Sequence, residues 1–479
     1  MPPTLALVLT LLFIAFLFKR EFKQGYVPSF AIVFPCLYLL ILGSRSVTEW
    51  VNLGTRVSGS DIADGSPLDR TVFLLLILAG LIILFRRRVA WATIFRQNMW
   101  LAIFFAYCGI SVLWSDSPDI GFKRWVKAFG DPVMVLLVLT EGEPIKAFQF
   151  VLKTCVYILI PLSILFIKYY PHLGRGFSEW TGAAWNTGVT TNKNLLGFVL
   201  MVSGLFLVWR LAERWRTGTK VDNRLDDLGI PLLLLGMIWW LFVQADSKTS
   251  LLGFILGSCI LLGLGFQNIR KHIGAYLVTS VVIFMFMQSL FDVYGSVLQQ
   301  AGRDATLTGR TELWDVLLHM DPKPILGHGF ESFWLGERLR KLHEMYYFRP
   351  NQAHNGFIEV YLNLGWVGLC LLGGLLLSGF LKVKSQLIPD DGSSEGGSFA
   401  RFGMAFVITY LAYNYTEGAF KSLHFLFIMF LLCTMKYHGG RQRFLQHSKD
   451  NIIHGAEGMN RVGETRHSRF SRIHWVGRA

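Results

Sequence analysis

Charge is scarce in this chain. Of its 479 residues only 16% are charged and 52% are hydrophobic, and the mean hydropathy is +0.43. So apolar a composition excludes an ordinary soluble protein of this length. Strict apolar–polar alternation is missing too, which argues against a β-barrel. Cysteines are few: Cys36, Cys108, Cys155, Cys259, Cys370 and Cys433 sit one to an apolar run, without a CxxC pair. Neither a disulfide framework nor a zinc site is expected from that spacing. The chain has no Walker A sequence, no HExxH and no DxD. Those absences leave ATP-driven transport and metal-held nucleotide-sugar chemistry without support, and no cofactor or metal is expected. A net charge of +14 would suggest nucleic acid in a soluble protein. No nucleic-acid module accompanies it, so the charge reads as membrane orientation and contact with anionic lipids.

What the chain does have is long apolar runs. They cover 4–18, 26–43, 71–85, 99–114, 129–140, 149–168, 194–210, 229–245, 249–266, 273–290, 354–380, 402–417 and 419–436. The expected fold class is all-α: a polytopic membrane bundle of twelve or thirteen spans. The first and fifth runs are short for a span. The N-terminal run lacks a basic n-region, so it is expected to be a retained membrane segment. The basic connectors 85–88, 210–220, 267–272 and 382–384, with the tail from Lys436, fall on one side, which the positive-inside rule makes cytoplasmic. Four parts follow: helices in 1–290, a folded periplasmic loop at 291–353, helices in 354–436, and a basic tail at 437–479 expected to be disordered.

The loop 291–353 is rich in aromatics. Trp314, Val316, Leu317 and Met320 suit one amphipathic helix, and Phe333, Leu335, Leu339 and Leu342 another, with "DPKPILGHGF" as a turn between them. His328 is expected to shape that turn. The next stretch, "NQAHNGFIEVYLNLGWVGL", loads the mouth of a span with polar groups. His354 and Tyr361 would share one helix face, and Asn355, Glu359 and Asn363 an adjacent one. Such a stripe faces a water-filled cavity or protein. His354 can exchange a proton near neutral pH. Capping by Asn351 or Asn355, and anchoring at the membrane surface by Tyr361 and Trp366, are the plainer readings. Arg303 and Arg310 offer forked donors for phosphate oxygens, with Asp304, Glu312 and Asp315 close enough to pair with them instead. Lys193 and Asn194 enter a span, where a lysine opposes the helix dipole and an anion would relieve the conflict. Lys123, Arg124 and Lys127 break the charge rule on the outer side, where they could hold lipid headgroups or guide an anionic lipid substrate.

In their order and spacing, "SVLWSDSPDIGFKRWVKAFG", "GVTTNKNLLG", "TGRTELWDVLLHMDPKPILGHGFESFW" and "NQAHNGFIEVYLNLGWVGL" resemble the O-antigen ligase and polymerase superfamily, most closely its exopolysaccharide-production branch. The resemblance covers roughly residues 100–435. It implies a metal-independent inverting glycosyltransferase of the bacterial inner membrane, with an architecture related to the GT-C class. Its donor would be a polyprenyl-diphosphate-linked glycan on the periplasmic side, and its acceptor a glycan or a lipid-linked molecule. Polymerisation of exopolysaccharide repeats is the first expectation, and ligation to lipid A-core or protein the alternative. Other polysaccharide-assembly proteins would be partners. Matching motifs imply that Arg310 binds the diphosphate and His354 activates the acceptor. A transporter of lipid-linked glycan is the rival class, and a non-catalytic scaffold a further one. A transporter would need paired halves and ionisable groups near mid-membrane.

Overall fold

The computed structural model describes residues 1–23, 26–53, 66–177, 184–218, 228–291, 308–387 and 395–437. Arg303, Asp304 and the tail from 438 lie outside the described residues. In chain order the main helices are α1 (Pro3–Lys23), α2 (Val33–Leu42), α3 (Pro67–Arg86), α4 (Trp91–Gln97), α5 (Met99–Ile110), α6 (Pro118–Ala128), α7 (Gly130–Leu139), α8 (Pro144–Tyr169), α9 (Lys193–Thr217), α10 (Ile230–Ala245), α11 (Lys248–Gly263), α12 (Gln267–Phe291), α13 (Thr308–His319), α14 (Gly336–Met345), α15 (Gly356–Leu387), α16 (Glu395–Thr416) and α17 (Phe425–Thr434). A two-stranded antiparallel hairpin, β1 (Arg175–Phe177) and β2 (Ala184–Asn186), lies between α8 and α9. The chain is an all-α polytopic protein, as its composition requires.

Every apolar run falls on a helix, but the runs do not all make full spans. By length and composition α3, α8, α9 and α15 can each cross a membrane, and α4 with α5, bent by 94°, makes a fifth if taken as one span. The other apolar helices include several short ones. The 129–140 run folds as α7, ten residues long, which rises about 15 Å, half of a hydrocarbon core. It is buried along nearly its whole length and packs on α3, α17 and α2. The run 419–436 likewise yields the ten-residue α17, buried throughout. Apart from Asp131 in the first turn of α7, these two helices are apolar nearly all round because protein surrounds them, not lipid.

The run 354–380 needs a sharper correction. His354 and Asn355 precede α15 rather than lying in it, and α15 breaks at Gly365, whose φ of 64° and ψ of −164° are not helical. A break inside a helix frees backbone groups that must find partners. The turn after Lys323 supplies them. Trp366 and Val367 donate their N–H groups to the carbonyls of Pro324 (2.8 Å) and Ile325 (3.2 Å). His328 and Gly329 donate to the carbonyls of Leu362 (3.1 Å) and Asn363 (2.8 Å). The Tyr107 hydroxyl donates to Leu364 O at 3.1 Å. The GHGF turn is thus inserted against the broken helix.

Around that seam Leu313, Leu317, Phe333, Leu342, Ala353 and Leu362 form a small core of their own, with Trp314, Ile358 and Tyr361 packed on it. The two loop helices form where expected, except that Met320 follows α13 and Phe333 and Leu335 precede α14 instead of belonging to it. Tyr361 packs on this core and pairs with Trp366 of the same helix, on the far side of the break, at 5.5 Å between ring centroids. Charge ties the loop to the segment before α6. Arg338 bridges Asp116 (2.6 Å) and Asp321 (3.1 Å), and the buried His328 ring donates from Nε2 to Asp321 O at 2.9 Å.

Candidate active site

The turn between α16 and α17 is the foundation of the site. Asn414 is fully buried and its Oδ1 accepts from Ala419 N at 2.9 Å. The Tyr410 hydroxyl donates to Ala419 O at 2.8 Å. Asn355 caps α15, its Oδ1 accepting from Phe357 N (2.9 Å) and Ile358 N (3.1 Å), while its Nδ2 donates to Tyr415 O at 3.1 Å. Loop and turn are therefore clamped together, and Glu417 projects from the clamped turn.

Three residues singled out from sequence meet on that one carboxylate. His354 Nδ1 lies 3.0 Å from Glu417 Oε2. Arg310 Nη2 reaches Oε1 at 3.4 Å, while its Nη1 donates to Thr416 O at 2.8 Å. Asn194 Nδ2 donates to Oε1 at 3.2 Å. The side chain of Glu417 is 10% exposed and that of His354 31%, so the histidine opens to the exterior while the carboxylate does not. An ionised carboxylate can only accept, so Nδ1 carries the proton and Nε2 of a neutral imidazole is left with its lone pair. His354 holds a left-handed backbone, φ 51°, a conformation uncommon outside glycine and worth about 1–3 kcal/mol of strain. Arg310 pairs with neither Glu312 nor Asp315; its carboxylate partner is Glu417.

Lys193 is the first residue of α9, half-buried, and among the described residues it has no hydrogen-bond or ion-pair partner. The N-cap is Asn192, whose Oδ1 accepts from Leu195 N at 2.8 Å. The cation thus stands at the positive end of a helix dipole next to Asn194.

The remaining candidates lie elsewhere or are already engaged. Glu359 accepts from Trp334 Nε1 at 2.8 Å and from Ala353 N, and Asn363 Oδ1 accepts from Phe333 N at 3.0 Å. The polar stripe therefore faces protein, stitching the loop to α15, rather than a water-filled cavity. Arg124 donates to Glu331 O. Burial holds the Lys127 ammonium below its ordinary value despite the opposing pull of Glu331. These two cations meet the loop at Glu331 and are not part of the Glu417 cluster.

Glu417 was missed from sequence. The signal was there in "YNYTEGAFKS": an acid at the end of an apolar run, followed by glycine, is as anomalous as the histidine at the start of one.

A bundle of apolar helices with an ionisable cluster at one end, beside a folded loop, defines a multi-pass membrane protein with a site at its surface. Comparison narrows this. The O-antigen ligase family model matches residues 232–373, a stretch that holds Arg310 and His354 but not Asn194 or Glu417. The exopolysaccharide production protein ExoQ of Rhizobium meliloti (strain 1021) is 24% identical over 323 residues, covering 65% of this chain and 70% of that protein. A putative polysaccharide ligase of Rickettsia felis is 22% identical over 323 residues, covering 65% of this chain and 74% of its own. One from Rickettsia conorii is 25% identical over 191 residues, covering 38% and 46%. The family model and the relatives agree, and together they support the O-antigen ligase-like family for this chain. That family points to an enzyme of polysaccharide ligation or polymerisation.

Proposed function

We propose that the protein transfers a glycan from polyprenyl diphosphate to an acceptor hydroxyl at the periplasmic face of a bacterial inner membrane. The observation that carries this reading is the meeting of His354, Arg310 and Asn194 on Glu417 at one end of the bundle. His354 Nε2 takes the proton as the acceptor oxygen attacks the anomeric carbon. The bond from that carbon to the diphosphate oxygen breaks, and polyprenyl diphosphate leaves with the electron pair. Attack opposite the leaving group inverts the anomeric configuration. Glu417 keeps the imidazole proton on Nδ1 and offsets the imidazolium that forms, as a buried carboxylate does beside a histidine base. Arg310 has donors left for the diphosphate after its two bonds to the turn, and Lys193 adds a second charge. In this reading the segment 308–353 is the lid over the site. Arg124 and Lys127, against the lid at Glu331, attract the anionic lipid part of the donor.

Arg310→Ala and His354→Ala are the direct test. Stable, inserted variants should make little polymer or ligated glycan, and normal product would refute the assignment. Two products compete. The name of the Rhizobium relative points to exopolysaccharide production, and the names of the Rickettsia relatives point to ligation. A deletion strain separates them: accumulated single repeats mean a polymerase, and unattached long chains mean a ligase.

A further inference from the structure

At the end of the bundle opposite Glu417, a groove of about 380 Å³ runs between α5 and the last turns of α15. Its floor is Gly374, against which the Trp100 ring packs so closely that no Cβ would fit. Its wall is Leu377 and Leu381, 60% and 52% exposed, which in a membrane means exposed to acyl chains. Its head is a pair of lysines, Lys382 and Lys436.

These two cations are held in place by neutral groups. Asn98 is buried at the corner between α4 and α5. Its Oδ1 accepts from Lys382 Nζ and from the Lys436 backbone N–H, both at 3.1 Å, and its Nδ2 donates to Lys436 O at 2.9 Å. Lys436 Nζ donates to Ser385 Oγ at 3.3 Å, and that hydroxyl donates to Lys382 O at 2.8 Å. Among the described residues no carboxylate lines the groove or pairs with either lysine. Two like charges are thus fixed side by side, without a counter-charge, at the top of an apolar wall. Snorkelling lysines would spread apart into water; these are pinned by one asparagine and one serine.

We propose that this groove is a binding site for one anionic phospholipid, with its phosphate between Lys382 and Lys436 and an acyl chain along Leu377, Leu381 and Trp100. Charge complementarity selects the headgroup and the exposed leucines select a chain-bearing ligand over a free ion. The site is independent of the proposed chemistry: none of its residues belongs to the Glu417 cluster, and the part of α15 beyond the Gly365 break rises about 24 Å from Trp366 to Lys382.

The test is native mass spectrometry of the whole protein released from nanodiscs holding equal phosphatidylglycerol and phosphatidylethanolamine. The wild type should retain phosphatidylglycerol in excess. Lys382→Ala with Lys436→Ala should lower that excess roughly tenfold or more, at about one lysine's electrostatic attraction each. Lys382→Arg with Lys436→Arg should restore it, which separates lost charge from lost folding, and Lys384→Ala should leave it unchanged. Equal retention of both lipids by the wild type, or an unchanged excess in the double alanine variant, overturns the proposal. So does displacement of the lipid by millimolar inorganic phosphate, since the ligand would then be the ion alone.

Discussion

Replacing Glu417 by glutamine isolates what its charge does for His354. The amide oxygen can take the place of Oε2 and still accept from Nδ1–H, so the 3.0 Å contact can survive while the charge, and the acceptor that Oε1 offers Asn194 and Arg310, are lost. A hydrogen bond to a charged group contributes about 1.5–3 kcal/mol and a neutral one about 1 kcal/mol. The difference, on the order of 1–2 kcal/mol, corresponds to roughly a tenfold loss of turnover. Glutamine should therefore lower kcat about tenfold with little change in KM for the lipid-linked donor. Arg310→Ala should instead raise KM as well, because it removes a diphosphate contact. The assay is polymer formation by purified protein in nanodiscs supplied with lipid-linked repeat, alongside a melting curve for each variant. Wild-type turnover in a folded Glu417→Gln protein would refute the positioning role. An equal rise in KM for both variants would refute the division of labour.

Other consequences are equally direct. Gly365→Ala would place a Cβ against the backbone of Ile325 at a φ of 64°, where neither chain can yield; it should destabilise the protein by about 3 kcal/mol or more, read as a lower Tm and faster proteolysis between Lys323 and Trp334. Arg310→Lys should not restore activity to the level of arginine, since a point charge cannot both hold Thr416 O and fork onto phosphate. Acid should loosen the loop. Burial lowers His328, helped by Arg338, so its contribution is present above the ordinary histidine value and is lost as pH falls through its lower folded value. Burial alone would raise Asp116, but the Arg338 hydrogen bond and charge outweigh it and hold it low, so its contribution disappears later, below the ordinary carboxylate range. Limited proteolysis of the loop should therefore increase from pH 7.5 to 5 and again toward pH 3, and Arg338→Ala should remove the second step. Finally, Arg401 is 1% exposed and bonds both oxygens of Glu213 at 2.8–2.9 Å. Arg401→Leu alone should cost about 3–5 kcal/mol, and Arg401→Leu with Glu213→Leu much less, measured by thermal melting.

Much of this protein is legible without coordinates, because it depends on neighbours in the chain. Apolar runs become helices, as each of the thirteen does. The loop helices follow from local spacing of Trp314, Leu317 and Leu342, and Asn355 caps α15 from its own position in the chain. Arg310 and His354 stand out as polar anomalies beside apolar runs, and the family order of motifs joins them. What needed the folded chain is everything set by side chains that meet across it. Apolarity alone cannot say whether protein or lipid surrounds a helix, so α7 and α17 read as spans until packing shows them buried. The stripe Asn355, Glu359 and Asn363 has the right period for a wet face, yet Trp334, Ala353 and Phe333 occupy it. Gly365 looks like any helix glycine until the Pro324–Gly329 turn fills the break. Glu417 joins Arg310 across 107 residues, His354 across 63 and Asn194 across 223, and no local pattern encodes such a meeting. Helix propensity and hydropathy are short-range properties of the chain, whereas a shared carboxylate is a property of four distant segments brought to one point.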